Sequence, residues 1–274
     1  MLKKSVLIIA VATFIFNACS KVPITGRKQL HLLPESEMVS MGFASYGAFL
    51  KENPPAPATD PNAELVKRVG NKLSQSVIKF LAQQKLSSRI SGYKWEFNLV
   101  NSPEANAWCM PGGKVVVYSG LLPITKDENS LAFVMGHEIA HAVAQHGNER
   151  MSQQMSVQAG GMALDMYMSQ KPAETRLLYN TAYGIGSQVG VMLPFSRLHE
   201  GEADKLGMVF MALAGYDPRP TPDIWKRMAA AGGAKPPEIL STHPSDANRA
   251  AEMRKYMSQA MKYYTGTANT TGGK

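Results

Sequence analysis

Cysteine is nearly missing from this sequence. Among 274 residues only Cys19 and Cys109 carry thiols, so no disulfide framework supports the fold and the chain must rely on its own core. Long apolar runs are missing as well. The most pronounced one, Val6 to Phe16, is well short of the roughly 20 residues that span a bilayer. Charge is not concentrated either. Lys and Arg total 29 against 21 Asp and Glu, for a net charge of +8. The basic residues are scattered (Lys67, Arg68, Lys72, Lys79, Lys85, Arg89) in the manner of solvated helix faces. Such a balance favours weak approach to anionic surfaces, but no nucleic-acid motif is present, and no nucleic-acid partner is expected. There is no internal repeat. A chain of this length still buries a large core, and one folded domain is expected.

Lys3 and Lys4, the apolar run and Ala18 ahead of Cys19 follow the order of a secretory signal. Phe16-Asn17-Ala18-Cys19 resembles a bacterial lipobox. That resemblance implies cleavage before Cys19, a membrane anchor through lipid at Cys19 and, with Ser20 following, a periplasmic lipoprotein on the outer membrane. The expected division is a signal peptide over 1–18, a lipidated tether over 19–34 broken by Pro23, Gly26 and Pro34, a folded domain over 35–264, and a disordered tail over 265–274.

Within the domain the pattern is mostly helical. A helix is expected after Asp60-Pro61, where an N-cap residue precedes proline at the first helical position. Leu65, Val69, Leu73, Val77 and Phe80 then form one apolar face. Trp95 to Leu99 alternates as a strand does, and Lys114-Val115-Val116-Val117-Tyr118 is a β-branched run. These two segments are expected to pair as an antiparallel sheet around the loop between them. Thr125 and Glu128 match a capping box, opening a helix that runs to about His146. Further helices are expected at 149–169, 174–191, 196–214, 221–231 and 245–263.

Chemistry concentrates on the helix after Thr125. His137 and His141 are four residues apart, which stacks two imidazoles on one helix face, with Cβ atoms about 5–6 Å apart. Both can reach one zinc ion at about 2.0–2.1 Å. Glu138 is turned away from the metal yet can reach a water beside it, the position of a general base. A catalytic zinc needs a third protein ligand. Glu200 and Asp204 share one helix face: Glu200 could bind zinc while Asp204 accepts a hydrogen bond from a ligand histidine. Arg197 lies one turn earlier and could pair with a carboxylate. His199 is the rival ligand, and Glu202 reads as solvated.

Together, His137-Glu138-Ile139-Ala140-His141 and Ser196-Arg197-Leu198-His199-Glu200-Gly201-Glu202-Ala203-Asp204 resemble the gluzincin zinc metalloproteases of the HtpX, Oma, BepA and LoiP type. Asn101-Ser102-Pro103-Glu104-Ala105-Asn106-Ala107, Pro111-Gly112-Gly113 and Ser241-Thr242-His243-Pro244 ahead of Arg249 fit the same family. The resemblance covers residues 22–260. It implies an α+β, mostly helical, zincin-like metalloprotease with a small antiparallel sheet beside the catalytic helix. It also implies one Zn2+ per chain and selects Glu200 over Glu202 as the third ligand. The matching histidine of the family can approach the zinc and restrain activity. His243 could instead steady an oxyanion or be a surface residue, and Arg249 could pair with an acidic group near the site.

The implied activity is endopeptidase cleavage of unfolded or misassembled envelope proteins, with Glu138 as base. The Lys114–Tyr118 strand is expected to bind extended substrate along its edge. A chaperone-like module that holds outer-membrane clients on the same zinc fold is the alternative, and a metallo-aminopeptidase a third reading. His31 and His146 are read as structural or surface residues.

Overall fold

The computed structural model describes residues 19–231, 239, 243 and 248–266. The expected signal peptide, residues 267–274 of the expected tail, and Ser241, Thr242 and Pro244 lie outside the described residues. Helix α1 spans Glu35–Glu52 and α2 spans Pro61–Gln83. The start of α2 follows its sequence: the Asp60 side chain accepts from the Asn62 amide at 2.8 Å, and Pro61 occupies the first turn. Val66, Val69, Leu73, Val77 and Phe80 of α2 are buried in the main core.

Strands β3 (Glu96–Val100), β4 (Ala107–Met110) and β5 (Lys114–Tyr118) form one sheet in the order β3-β5-β4. The expected antiparallel pairing exists, but between β4 and β5; β3 runs parallel to β5. Strand β4 reverses the chain inside the loop that was expected simply to join the other two strands, so β5 meets β3 in the same direction. This placement corrects a second expectation. Strand β5 is central, with its backbone bonded on both sides, and cannot offer an edge to a peptide. Among the described residues β3 and β4 are the two edges; the end of β3 is bridged by Pro55 and Ala56, whereas β4 pairs with β5 alone.

Residues 19–34, expected as a tether, fold as a hairpin. Strands β1 (Cys19–Lys21) and β2 (Lys28–Leu30) pair antiparallel, Cys19 opposite Leu30. Val22 and Gln29 are buried. The Arg89 guanidinium, itself buried, donates to the Lys21 carbonyl, the Gln29 side chain and the carbonyls of Val143 and Ala144. Buried donors and acceptors of this kind tie the hairpin to the rest of the fold.

After the short α3 (Leu122–Thr125), α4 covers Glu128–Val143. Its cap is Asp127, accepting from the Ser130 amide at 2.7 Å, and not the expected Thr125, which closes α3. Almost every side chain of α4 is buried, as befits a helix at the centre of the core. It stops before His146 because Gln145 takes a left-handed conformation, with φ 59°. Helix α5 (His146–Tyr167) then leaves at a new angle. Helix α6 (Ala173–Ser187) passes through a π turn at Gln188–Met192 directly into α7 (Leu193–Leu213), so two expected helices are one continuous run. Helices α8 (Thr221–Ala231) and α9 (Arg249–Ala260) complete the fold. No helix among the described residues is long and apolar enough to cross a membrane.

Helices α4 and α7 cross with backbones in contact. A Cβ on Gly207 would lie 2.9 Å from the His137 nitrogen, and one on Gly136 would lie 3.1 Å from the Gly207 carbonyl oxygen. Only paired glycines permit that approach. It sets the ligand-bearing turn of α4 against Glu200 and Asp204 of α7.

Candidate metal centre

His137 and His141 from α4, Glu200 from α7 and His243 converge, with one donor atom of each within 4.8 Å of every other. The individual separations are narrower. His137 Nε2 lies 3.1 Å from His141 Nε2 and 3.3 Å from Glu200 Oε2. His141 Nε2 lies 3.5 Å from Glu200 Oε1. His243 Nδ1 lies 3.3 Å from His137 Nε2 and 3.1 Å from Glu200 Oε2. Donors held at 2.0–2.1 Å from a tetrahedral zinc are separated by about 3.3 Å. The residues present therefore fit zinc in both donor type and spacing.

The electrostatics agree. Burial alone would depress the His137 imidazole, but Asp204 and Glu200 outweigh it and raise its pKa to about 9. Burial would likewise raise the Glu200 carboxyl; the contacts of His141, His137 and His243 instead hold it well below the usual carboxylate range. His141 is pushed well below its ordinary value by burial. Two buried carboxylates, Glu200 and Asp204, thus face the imidazoles, with Arg249 Nη1 3.4 Å from Glu200 Oε2.

A second layer orients the first. His137 Nδ1 faces Asp204 Oδ1 at 3.1 Å, which turns Nε2 toward the centre. Asp204 is clamped by Arg249 through two bonds of 2.8 and 2.7 Å and receives the Trp225 indole N–H at 3.2 Å. The Arg249 guanidinium also lies 3.9 Å over the Trp225 ring. Arg249 and Asp204 thus pair beside the donor set. Trp225 carried no signal beyond its apolar position. Arg197 does not reach the donor set: it is exposed and lines a groove on the outer side of Asp204 and Arg249, with Lys205 and Glu252. Its side chain forms no ion pair among the described residues, because the turn of α7 that precedes Glu200 faces outward.

Beneath His141 lie residues that sequence reading had set aside. His146 Nδ1 is 3.0 Å from His141 Nδ1, and His146 Nε2 is 3.3 Å from Glu202 Oε2. Glu202, read as solvated, is buried and accepts from Thr25 and Arg27. His199, the rival ligand, points away from the centre and meets Glu149 at 2.8 Å. Lys114 pairs with Glu96 at 2.9 Å, while Val115, Val116 and Val117 are core residues, so the β5 side chains serve the fold.

Glu138 is buried beside the centre. Its Oε1 has no hydrogen-bond partner among the described residues, and His243 Nε2 lies 3.5 Å away. Burial, with Glu200 nearby, pushes the Glu138 carboxyl above the usual range against the pull of His243 and His137. Glu138, His141 and His243 line a cleft of about 180 Å3 with Trp108 and Cys109 of β4. An unengaged carboxylate oxygen in such a cleft is positioned to take a proton.

The model of peptidase family M48 matches residues 71–257, more than half of the sequence. The chain belongs to peptidase family M48. Zinc is the metal of that family, in agreement with the donor set. Among its relatives, the mitochondrial metalloendopeptidase OMA1 of Arabidopsis thaliana is 37% identical over 65% of this chain and 35% of its own length. The mitochondrial OMA1 metalloendopeptidase of Homo sapiens is 31% identical over 91% of this chain and 48% of its own. The β-barrel assembly-enhancing protease of Escherichia coli is 34% identical over 65% of this chain and 39% of its own. The chain therefore spans about a third to a half of the length of these relatives. They correct the inferred compartment. The lipobox-like residues pointed to the periplasm and outer membrane, but the OMA1 relatives, which align over up to 91% of this chain, are named as mitochondrial.

Proposed function

We propose that this chain is a zinc-dependent endopeptidase, with His137, His141 and Glu200 as ligands and Glu138 as general base. The observation that carries the reading is the convergence of two α4 imidazoles and an α7 carboxylate at zinc-ligand spacing, with a buried, unengaged carboxylate oxygen one residue from the first ligand. Zinc, when bound, supplies a Lewis acid that acidifies water and polarises a scissile carbonyl. Glu138 accepts the proton of the attacking water and returns it to the leaving amine. Asp204 and Arg249 keep the His137 ring in place throughout.

Substrate binds as an extended segment along β4. That strand is an edge of the sheet, and Trp108 and Cys109 line the cleft that contains Glu138. Main-chain recognition of this kind favours unfolded or misassembled proteins, a class in keeping with the name of the Escherichia coli relative. A role limited to holding clients would leave Glu138 unused.

His243 acts as a restraint. Its Nδ1 sits at ligand distance from both His137 and Glu200 and fills the corner that water needs. The His243 amide donates to the Ile239 carbonyl, and the Ile239 amide donates to the Ala105 carbonyl just ahead of β4. Releasing His243 would therefore also loosen the segment beside the proposed substrate edge. The test is cleavage of unfolded casein with and without a chelator. Chelator-sensitive cleavage within the casein chain is expected; hydrolysis insensitive to chelation, or release of N-terminal residues only, would overturn the reading.

A further inference from the structure

We propose that Arg27, on the N-terminal hairpin, is a positioning residue for the metal ligand His141, acting through Glu202 and His146. The inference rests on the zinc reading above, since it concerns how one of the ligands is held. Arg27 and Thr25 lie ahead of residues 71–257, the part of the chain that matches the family.

His141 presents Nε2 to the centre, so its proton must sit on Nδ1 and needs an acceptor. The partner there is His146 Nδ1, at 3.0 Å. For that nitrogen to accept, the His146 proton must sit on Nε2, where it too needs an acceptor. Glu202 Oε2 is 3.3 Å away. The tautomer of the ligand is thus fixed by a carboxylate on the far side of a second imidazole, His146.

Glu202 is buried and does not stand alone. Thr25 Oγ1 donates to its Oε1 at 2.7 Å, and Arg27 Nε donates to its Oε2 at 2.9 Å. The same guanidinium donates to both oxygens of Glu149, at 2.7 Å each. Arg27 Nη2 lies 2.7 Å from both Glu149 Oε2 and Glu202 Oε2. Glu149 in turn receives His199, whose ring stacks on His146 with centroids 4.3 Å apart. One fork-shaped cation therefore holds two buried carboxylates, one at each end of a stacked imidazole pair under the metal site. Without it those carboxylates face each other in the interior with no cation between them. They must move apart or admit water, and either change breaks the Glu202–His146–His141 chain.

A purely structural hairpin would affect the stability of the whole domain and leave the ligand geometry alone. Zinc affinity, measured by competition with a chromophoric chelator, and the absorption spectrum of the cobalt-substituted protein separate the two. Arg27→Gln is expected to weaken zinc binding about 10- to 100-fold, the range for groups that orient a ligand, and to alter the cobalt spectrum. Arg27→Lys is expected to recover part of the loss. In a His146→Leu background the Arg27→Gln penalty is expected to vanish, because the route from Arg27 to His141 is already cut. Thr25→Val, which removes one bond to Glu202, is expected to weaken zinc binding about 3-fold and supplies the measurement if Arg27→Gln does not fold. Wild-type affinity and spectrum in Arg27→Gln, or in Thr25→Val when that variant stands in for it, would overturn the proposal. So would a loss that is additive with His146→Leu. Failure of the wild-type chain to bind zinc at all would instead overturn the zinc reading itself.

Discussion

Placing a methyl group on Gly207 should drive α4 and α7 apart at the metal centre. The added Cβ would sit 2.9 Å from the His137 nitrogen and 3.1 Å from its Cα. Ordinary carbon contacts are about 3.5–4.0 Å, so the helices must separate by about 0.5 Å or more. Backbone atoms on both sides leave no side chain to swing away. Overpacking of this kind costs about 1–3 kcal/mol, while Gly→Ala within a helix returns up to about 1 kcal/mol. The net effect of Gly207→Ala should be about 1–2 kcal/mol of destabilisation. Gly201 supplies the control. It lies on the same helix, one residue after Glu200, and a Cβ there meets nothing within 4 Å. Gly201→Ala should therefore stabilise by about 0.5–1 kcal/mol. Denaturant unfolding of the metal-free chain measures both, and zinc competition should show weaker binding for Gly207→Ala only. If Gly207→Ala is as stable as Gly201→Ala and binds zinc as wild type does, the close crossing is not what assembles the centre.

Asp204→Asn keeps the shape of the side chain but removes the charge facing His137 and Arg249. Zinc affinity should fall about 10- to 100-fold, and the buried Arg249 should cost the fold about 3 kcal/mol; chelator competition and denaturant unfolding measure the two. Glu200→Ala should abolish stoichiometric zinc retention, read by metal analysis after gel filtration. His243→Ala should raise the rate of casein cleavage, and a large fall would assign His243 to catalysis. Zinc affinity should depend on pH through His137, whose raised pKa of about 9 means that a proton competes with the metal below that value. Apparent affinity should therefore drop about tenfold per pH unit below 9 from this group and level off above it; a flat profile between pH 6.5 and 9 would contradict the assigned environment.

The parts of the centre legible in the sequence were those carried by local spacing. A spacing of four from His137 to His141, and of four from Glu200 to Asp204, put each pair on one helix face, and both helices formed. The capped start and apolar face of α2 were legible for the same reason. The missed parts depend on contacts remote in sequence. Strand β4 has a single aromatic and no β-branched residue in Ala107–Met110, so it carried little strand signal, and without it the direction of β3 against β5 was read the wrong way. His146 lay off the ligand face of an extended α4. The left-handed Gln145 ended that helix and re-aimed the side chain toward His141. Glu202 does point away from Glu200, as its spacing requires, but it turns toward the hairpin and not toward water. Nothing local to Arg27 announces that it will meet carboxylates 122 and 175 residues further on.

The central claim is that a zinc held by His137, His141 and Glu200 works with Glu138 to cut peptide bonds. The most direct test is the casein-cleavage rate of Glu138→Gln, measured on a sample whose zinc content is determined alongside. The account predicts one zinc per chain, as in the wild type, with cleavage reduced by at least ~100-fold, in line with the loss of a general base. Near wild-type cleavage by the zinc-loaded variant would contradict it.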